Sequence, residues 1–183
     1  KPELCVVVAT IRALKLHGGA DENNLECEDL ESLKKGLPNL ERHLNNMKKF
    51  GLPTICNINI FSSDTKNELE LLENWLNEKG FKFALNDAYS EGAIDIAKLA
   101  VETIDENNSS FHPLYTKDMK LADKINLICK EIYGAKNVIY SEKALAQLSE
   151  YEEKYSDFYV CMAKTPLSFS DDPKLKGAPD NFD

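Results

Sequence analysis

The chain has 183 residues, 43% of them hydrophobic and 29% charged, which is the composition of an ordinary water-soluble domain with a real core. No apolar run approaches the roughly 20 residues needed to cross a bilayer. The net charge of −9 argues against nonspecific nucleic-acid binding, which needs a basic surface, but leaves room for a local basic pocket facing a phosphorylated or acidic small molecule. Five cysteines, Cys5, Cys27, Cys56, Cys129 and Cys161, form no C-x-x-C pair. They read as reduced thiols in a cytoplasmic protein. Lys1 is followed by no signal-peptide layout, so the chain reads as an internal segment of a longer gene product.

The first element is a β-branched run from Val6 that breaks into Thr10, Arg12, Lys15, His17 and the pair Gly18-Gly19. A buried strand that ends in cations and glycines suits an anionic ligand, because ligands of open α/β sheets bind at the carboxyl ends of the strands. Arg12 and Lys15 have a second reading, as solvated or ion-paired surface charge. Residues 20–28 are polar and form a loop. Two short helices follow over 29–37 and 39–50, split by Pro38. A second strand covers 53–60. Thr65-x-x-Glu68 then fits a capping box for a helix with Leu69, Leu72 and Leu76 on one face, ending at Gly80.

A third strand is predicted over 81–85, and amphipathic helices over 93–106 and 117–133, the second stopped by Gly134. Residues 137–140 and 158–163 read as fourth and fifth strands, with a helix capped by Ser141 between them. Residues 164–183 are rich in Pro, Ser, Asp and Gly and show no periodicity. Strands separated by helices imply βαβ crossovers: an α/β fold with a mainly parallel sheet and helices on both faces, followed by a loop-rich C-terminal tail. The expected division is an α/β domain over 1–163 and a substrate-facing tail over 164–183.

Polar groups collect where each strand ends: Thr10, Arg12 and Lys15; Asn59, Phe61, Ser63 and Asp64; Asn86, Asp87 and Tyr89; Lys164 and Asp172. If these loops meet at one sheet edge, Phe61 and Tyr89 offer two aromatic faces to a flat heterocycle. Phe61 also suits a core, Asp171-Asp172 suits a turn as well as a metal, and Trp75 reads as packing. No phosphate-cradling G-x-x-x-x-G-K-[ST] or G-x-G-x-x-G motif occurs. Neither metal-ligand spacing nor a catalytic residue can be assigned.

Nine segments, in order, closely resemble the formate–tetrahydrofolate ligase family, the 10-formyltetrahydrofolate synthetases. They are Val8 to Lys15 with His17-Gly18-Gly19; Asn39 to His43; Phe50 to Pro53; Asn59-Ile60-Phe61 with Asp64-Thr65; Leu114-Tyr115; Ile132 to Ala135; Cys161 to Thr165; Ser170 to Pro173; and Gly177-Ala178-Pro179. The resemblance implies a P-loop NTPase-like, Rossmann-like layered domain, taken from the later part of a family member and without its P-loop region. It implies an ATP-dependent ligase that joins formate to tetrahydrofolate through formyl phosphate, with Mg²⁺ and a monovalent cation assisting, in a cytoplasmic homotetramer. Its substrates would be formate, ATP and tetrahydrofolate, with neither nucleic acid nor membrane as partner.

The family stacks folate between a Phe and a Trp, which fall on Phe61 and Tyr89, with an apolar wall at Leu85. Thr10, Arg12, Lys15, Gly18, Gly19, Asn59, Lys164 and Asp172 become substrate- or nucleotide-facing candidates. Ile60 stands where the family has Arg, Ser62 where it has Pro, and the Gly-rich stretch after Tyr89 is shortened. The isolated segment is expected to be inactive. Two other readings stay open: a noncatalytic folate- or nucleotide-binding relative, and a structural assembly module.

Overall fold

In a computed structural model of the chain, residues 1–87, 92–163, 167–179 and 182 are described. They fall into two compact units, Lys1–His112 and Pro113–Asp183, whereas the sequence places its division at 163/164.

The first unit is built on three parallel strands in the order β1-β2-β3: β1 Cys5–Ala9, β2 Thr54–Asn59 and β3 Lys82–Asn86. The register pairs Val7 with Cys56, Ala9 with Ile58, Cys56 with Phe83 and Ile58 with Leu85. Because side chains alternate along a strand, these residues share one face. That face carries the core, where Ala9, Cys56 and Ile58 meet Ile11, Leu14, Leu33, Leu37, Leu40, Leu44, Leu72 and Leu76. These come from α1 Ile11–His17, α2 Leu30–Lys48 and α3 Lys66–Glu78. On the other face, Ile55, Ala84 and Asn86 are buried, and α4 Ile94–Glu106 packs on β3 and β2. The α/β class with parallel strands is therefore as the sequence implies.

Two helices expected on either side of Pro38 are one continuous helix, α2. Leu33, Leu37, Leu40 and Leu44 lie at helical spacing on both sides of the proline, and all four are buried. Burying a leucine stabilises by about 1.5–3 kcal/mol. Four of them outweigh the loss of one backbone hydrogen bond and the proline's strain, about 3 kcal/mol. Helices α1 and α2 cross with backbone in contact. A Cβ on Gly18 would lie 1.8 Å from the Ser32 carbonyl oxygen, and one on Gly36 would lie 1.9 Å from that of Leu14.

The second unit contains α5 Leu121–Ile128, a π-helical turn Cys129–Tyr133 stopped by left-handed Gly134 (φ 78°), and α6 Glu142–Tyr155. The Ser141 cap is as expected, its hydroxyl accepting from the Ala144 N–H. Residues 137–140 and 158–163 form no strand, which corrects the count of five to three among the described residues. At residues 158–160 backbone groups find partners without a ladder. Val160 N–H donates to the Tyr115 hydroxyl, and the Phe158 carbonyl accepts from the Lys124 ammonium. That ammonium is fully buried and also donates to the carbonyls of Lys117 and Ser156. It thereby ties the end of α6 to the start of α5.

Candidate functional site

All three strands run parallel, so their carboxyl ends lie along one edge of the first unit. Thr10 follows β1 and caps α1, its hydroxyl accepting from the Ala13 N–H at 3.1 Å. Asn59 ends β2 half-buried. The loop behind it is anchored at its start, where Ile60 N–H donates to the Asn86 carbonyl at the end of β3. It then closes on itself. Phe61 N–H donates to Asp64 Oδ2 and Asp64 N–H donates to the Phe61 carbonyl, both at 2.9 Å.

This turn leaves Phe61 38% exposed. Arg12, in the first turn of α1, lays its guanidinium 4.9 Å from the ring centre. The same guanidinium donates to Ser63 Oγ at 2.8 Å and to Glu26 Oε1 at 3.1 Å. Its Nε is buried and has no hydrogen-bond partner. A cation held over a partly exposed aromatic face can meet a flat, electron-rich ring together with that face.

Lys15, one turn further along α1, is in a different environment. It is 1% exposed, and its ammonium donates to Glu68 Oε1 and to the Cys27 carbonyl, both at 2.8 Å. Glu68 is fully buried. Its Oε1 also accepts from Asp29 N–H and its Oε2 from Thr65 N–H, each at 3.0 Å. Burial alone would push the Glu68 carboxyl up, but the hydrogen bonds from Lys15, Thr65 and Asp29 outweigh it and hold the carboxyl below its ordinary value. At Asp64 the balance reverses. Burial pushes its carboxyl up, and the Phe61 N–H only partly offsets this.

The remaining candidates are dispersed. Gly18 makes its close approach to α2, and Gly19 sits at φ +94° in the following turn. Leu85 is half-buried against the core. Tyr89 and Lys164 lie outside the described residues. Asp172 belongs to the second unit. Its Oδ1 accepts from Lys174 N–H, and its backbone exchanges hydrogen bonds with the Ser170 hydroxyl, which is turn chemistry. The structure thus gathers Thr10, Arg12, Asn59 and Phe61 at one edge of one unit. Glu68 carries no site prediction from sequence beyond its place in the capping box, the one signal that marked it. A cavity of about 530 Å³ in the second unit is lined by Cys129, Tyr133, Tyr140, Phe169 and Asp171 among others; of these, only Asp171 and the family-like segments around Tyr133 and Ser170 stand out in the sequence.

A family model described as formate–tetrahydrofolate ligase matches residues 1–183. Curated formate–tetrahydrofolate ligases of Staphylococcus aureus strains Newman, USA300 and MRSA252 are each 47% identical over 186 aligned residues, covering 100% of this chain and 33% of the relative. The chain therefore spans about a third of the length of the curated relatives it matches. With the whole chain matched by the family model and nearly half of its residues shared with these relatives, it belongs to the formate–tetrahydrofolate ligase family.

Proposed function

We propose that this segment serves an ATP-dependent ligase that joins formate to tetrahydrofolate, and that it supplies the folate-stacking edge of the site. Two steps balance the reaction. A formate oxygen attacks the γ-phosphorus of ATP, giving formyl phosphate and ADP. The folate N10 then attacks the formyl carbon, and phosphate leaves. The observation that carries the reading is Phe61, half-exposed at the carboxyl edge of the sheet beneath the Arg12 guanidinium. A core phenylalanine has no reason to face solvent under a cation, whereas a platform for a pteridine does.

In this reading Phe61 provides the stacking face, with Tyr89 as its aromatic partner by resemblance and Leu85 as the wall. Arg12 lays its guanidinium over the Phe61 ring, a positive charge to face an acceptor on the ligand or on formyl phosphate. Thr10, Asn59, Lys164 and Asp172 remain substrate- or nucleotide-facing candidates. Lys15, Gly18 and Gly19 belong to that group by resemblance, and the bonds and packing described above suit them to support from behind. Among the described residues no cluster of His, Cys, Asp or Glu gathers metal ligands. Mg²⁺ would therefore enter with ATP and screen its phosphates, a monovalent cation would act elsewhere, and the phosphate cradle would come from a P-loop region that these residues do not contain. The cytoplasmic homotetramer is part of the same proposal.

Formate-dependent ADP release by a full-length ligase carrying this segment tests the proposal. Sustained release that requires both formate and tetrahydrofolate is expected, because formyl phosphate must be consumed before the next turnover. Binding of either ligand without turnover would favour a noncatalytic relative, the reading that the Tyr89, Ile60 and Ser62 departures support.

A further inference from the structure

We infer that Glu68 is a positioning residue for the folate platform, and that Lys15 is the counter-charge that lets it be buried there. The inference rests on the folate-stacking reading of Phe61. The loop that carries Phe61 is held at two ends. At its start, Ile60 N–H is fixed to the Asn86 carbonyl on β3. At its end, Thr65 N–H is fixed to Glu68 Oε2, and the Thr65 hydroxyl accepts from Glu68 N–H, so the loop enters α3 through a closed capping box. Only Ser62, Ser63 and Asp64 lie between Phe61 and that clamp.

The other oxygen of Glu68 reaches away from the loop. It accepts from Asp29 N–H, where α2 begins, and from the Lys15 ammonium on α1. Lys15 passes the connection to the Cys27 carbonyl. One carboxylate therefore fixes the end of the Phe61 loop relative to α1, the element that carries Arg12. The ring and the guanidinium above it keep their 4.9 Å spacing because both are referred to the same buried anion. An ordinary capping box sits at a helix surface and needs no lysine. Here the Glu68 carboxylate is fully buried, and the charge it hides has to be matched.

A merely structural ion pair and a positioning one differ in what an apolar replacement does. Exchanging a buried pair for well-packed apolar residues is often neutral for stability. The double variant Lys15→Met/Glu68→Leu, made in a full-length ligase carrying this segment, is therefore expected to fold, with a melting temperature lowered only by the lost cap and the unpaired Asp29 and Thr65 N–H groups. It loses the acceptor for Thr65 N–H, so the loop loosens. Its tetrahydrofolate Kd is expected to rise about ten- to a hundredfold, the scale of a misplacement near 1 Å. KM for tetrahydrofolate should rise with it, while KM for formate stays put.

Phe61→Ala serves as the reference. If Phe61→Ala leaves the Kd unchanged, the stacking reading fails and takes this inference with it. If Phe61→Ala weakens binding but a folded double variant binds as the parent does, the positioning role alone is overturned. Should the double variant not fold, Glu68→Gln decides. Its single carboxamide oxygen cannot serve both Thr65 and Lys15 with Asp29, so a raised Kd supports the inference and an unchanged one overturns it.

Discussion

Arg12 and Lys15 stand three residues apart on one short helix and look alike in the sequence, yet they meet opposite fates. Arg12 stays at the surface over Phe61, whereas Lys15 is withdrawn to Glu68, 53 residues away along the chain. No local pattern fixes such a pairing, because it depends on how α1 lies against the start of α3. The sequence could say that cations follow β1; it could not say which of them would be free to meet a ligand.

The two carboxyls near Phe61 respond to acid in opposite senses. Glu68 lies below its ordinary 4.5, so its contribution to stability is present at neutral pH and is lost as pH falls through its lowered folded value. Asp64 lies above its ordinary 3.8, so its contribution is present below 3.8 and is lost as pH rises through its raised folded value. Asp64→Asn keeps an acceptor for Phe61 N–H and removes the titration. Urea midpoints taken from pH 7 down to pH 4 should show the parent gaining stability relative to this variant as pH falls. A constant difference would contradict the assignment.

At the scale of elements, the places where sequence and structure part follow from one cause. Pro38 reads as a break because its local cost is visible, while the sheet that buries Leu33, Leu37, Leu40 and Leu44 around it is not. Residues 137–140 and 158–163 read as strands from composition alone, but a strand needs a neighbour; at Val160 and Phe158 the side chains of Tyr115 and Lys124 take the backbone groups instead. By contrast, the Thr65 and Ser141 caps were legible, since a cap is a local structure.

The α1–α2 crossing gives a prediction at this scale. Alanine is a better helix former than glycine by about 1 kcal/mol, so propensity says that Gly36→Ala should stabilise α2. Its Cβ would lie 1.9 Å from the Leu14 carbonyl oxygen, and the helices must part. Net destabilisation of about 1–3 kcal/mol is expected from chemical denaturation. A gain in stability would show that the crossing is looser than described.

For the molecule as a whole, the chain falls into two compact units. The candidate folate edge lies entirely in Lys1–His112, and the buried Lys124 organises Pro113–Asp183. Lys124→Met leaves the carbonyls of Lys117, Ser156 and Phe158 without their donor. Faster amide exchange is expected in the second unit around α5 and residues 156–160, with β1, β2 and β3 unchanged. Loss of protection across the sheet would contradict that independence. The fold class and the family were both legible in the chain, because βαβ alternation and ordered short motifs are written along it. The boundary at 112/113 was not, since it is set by which segments pack together, and no proline- or glycine-rich linker marks it.

The account stands on Phe61 as a platform for the pteridine ring. Titration of tetrahydrofolate into a full-length ligase carrying this segment, as parent and as Phe61→Ala, tests it most directly. Removing the ring takes away about 1.5–3 kcal/mol of apolar burial, with a stacking gain of about 0.5–1.5 kcal/mol beyond it. The Kd is therefore expected to rise by at least about tenfold, each 1.4 kcal/mol being a factor of about ten. An unchanged Kd would contradict the account.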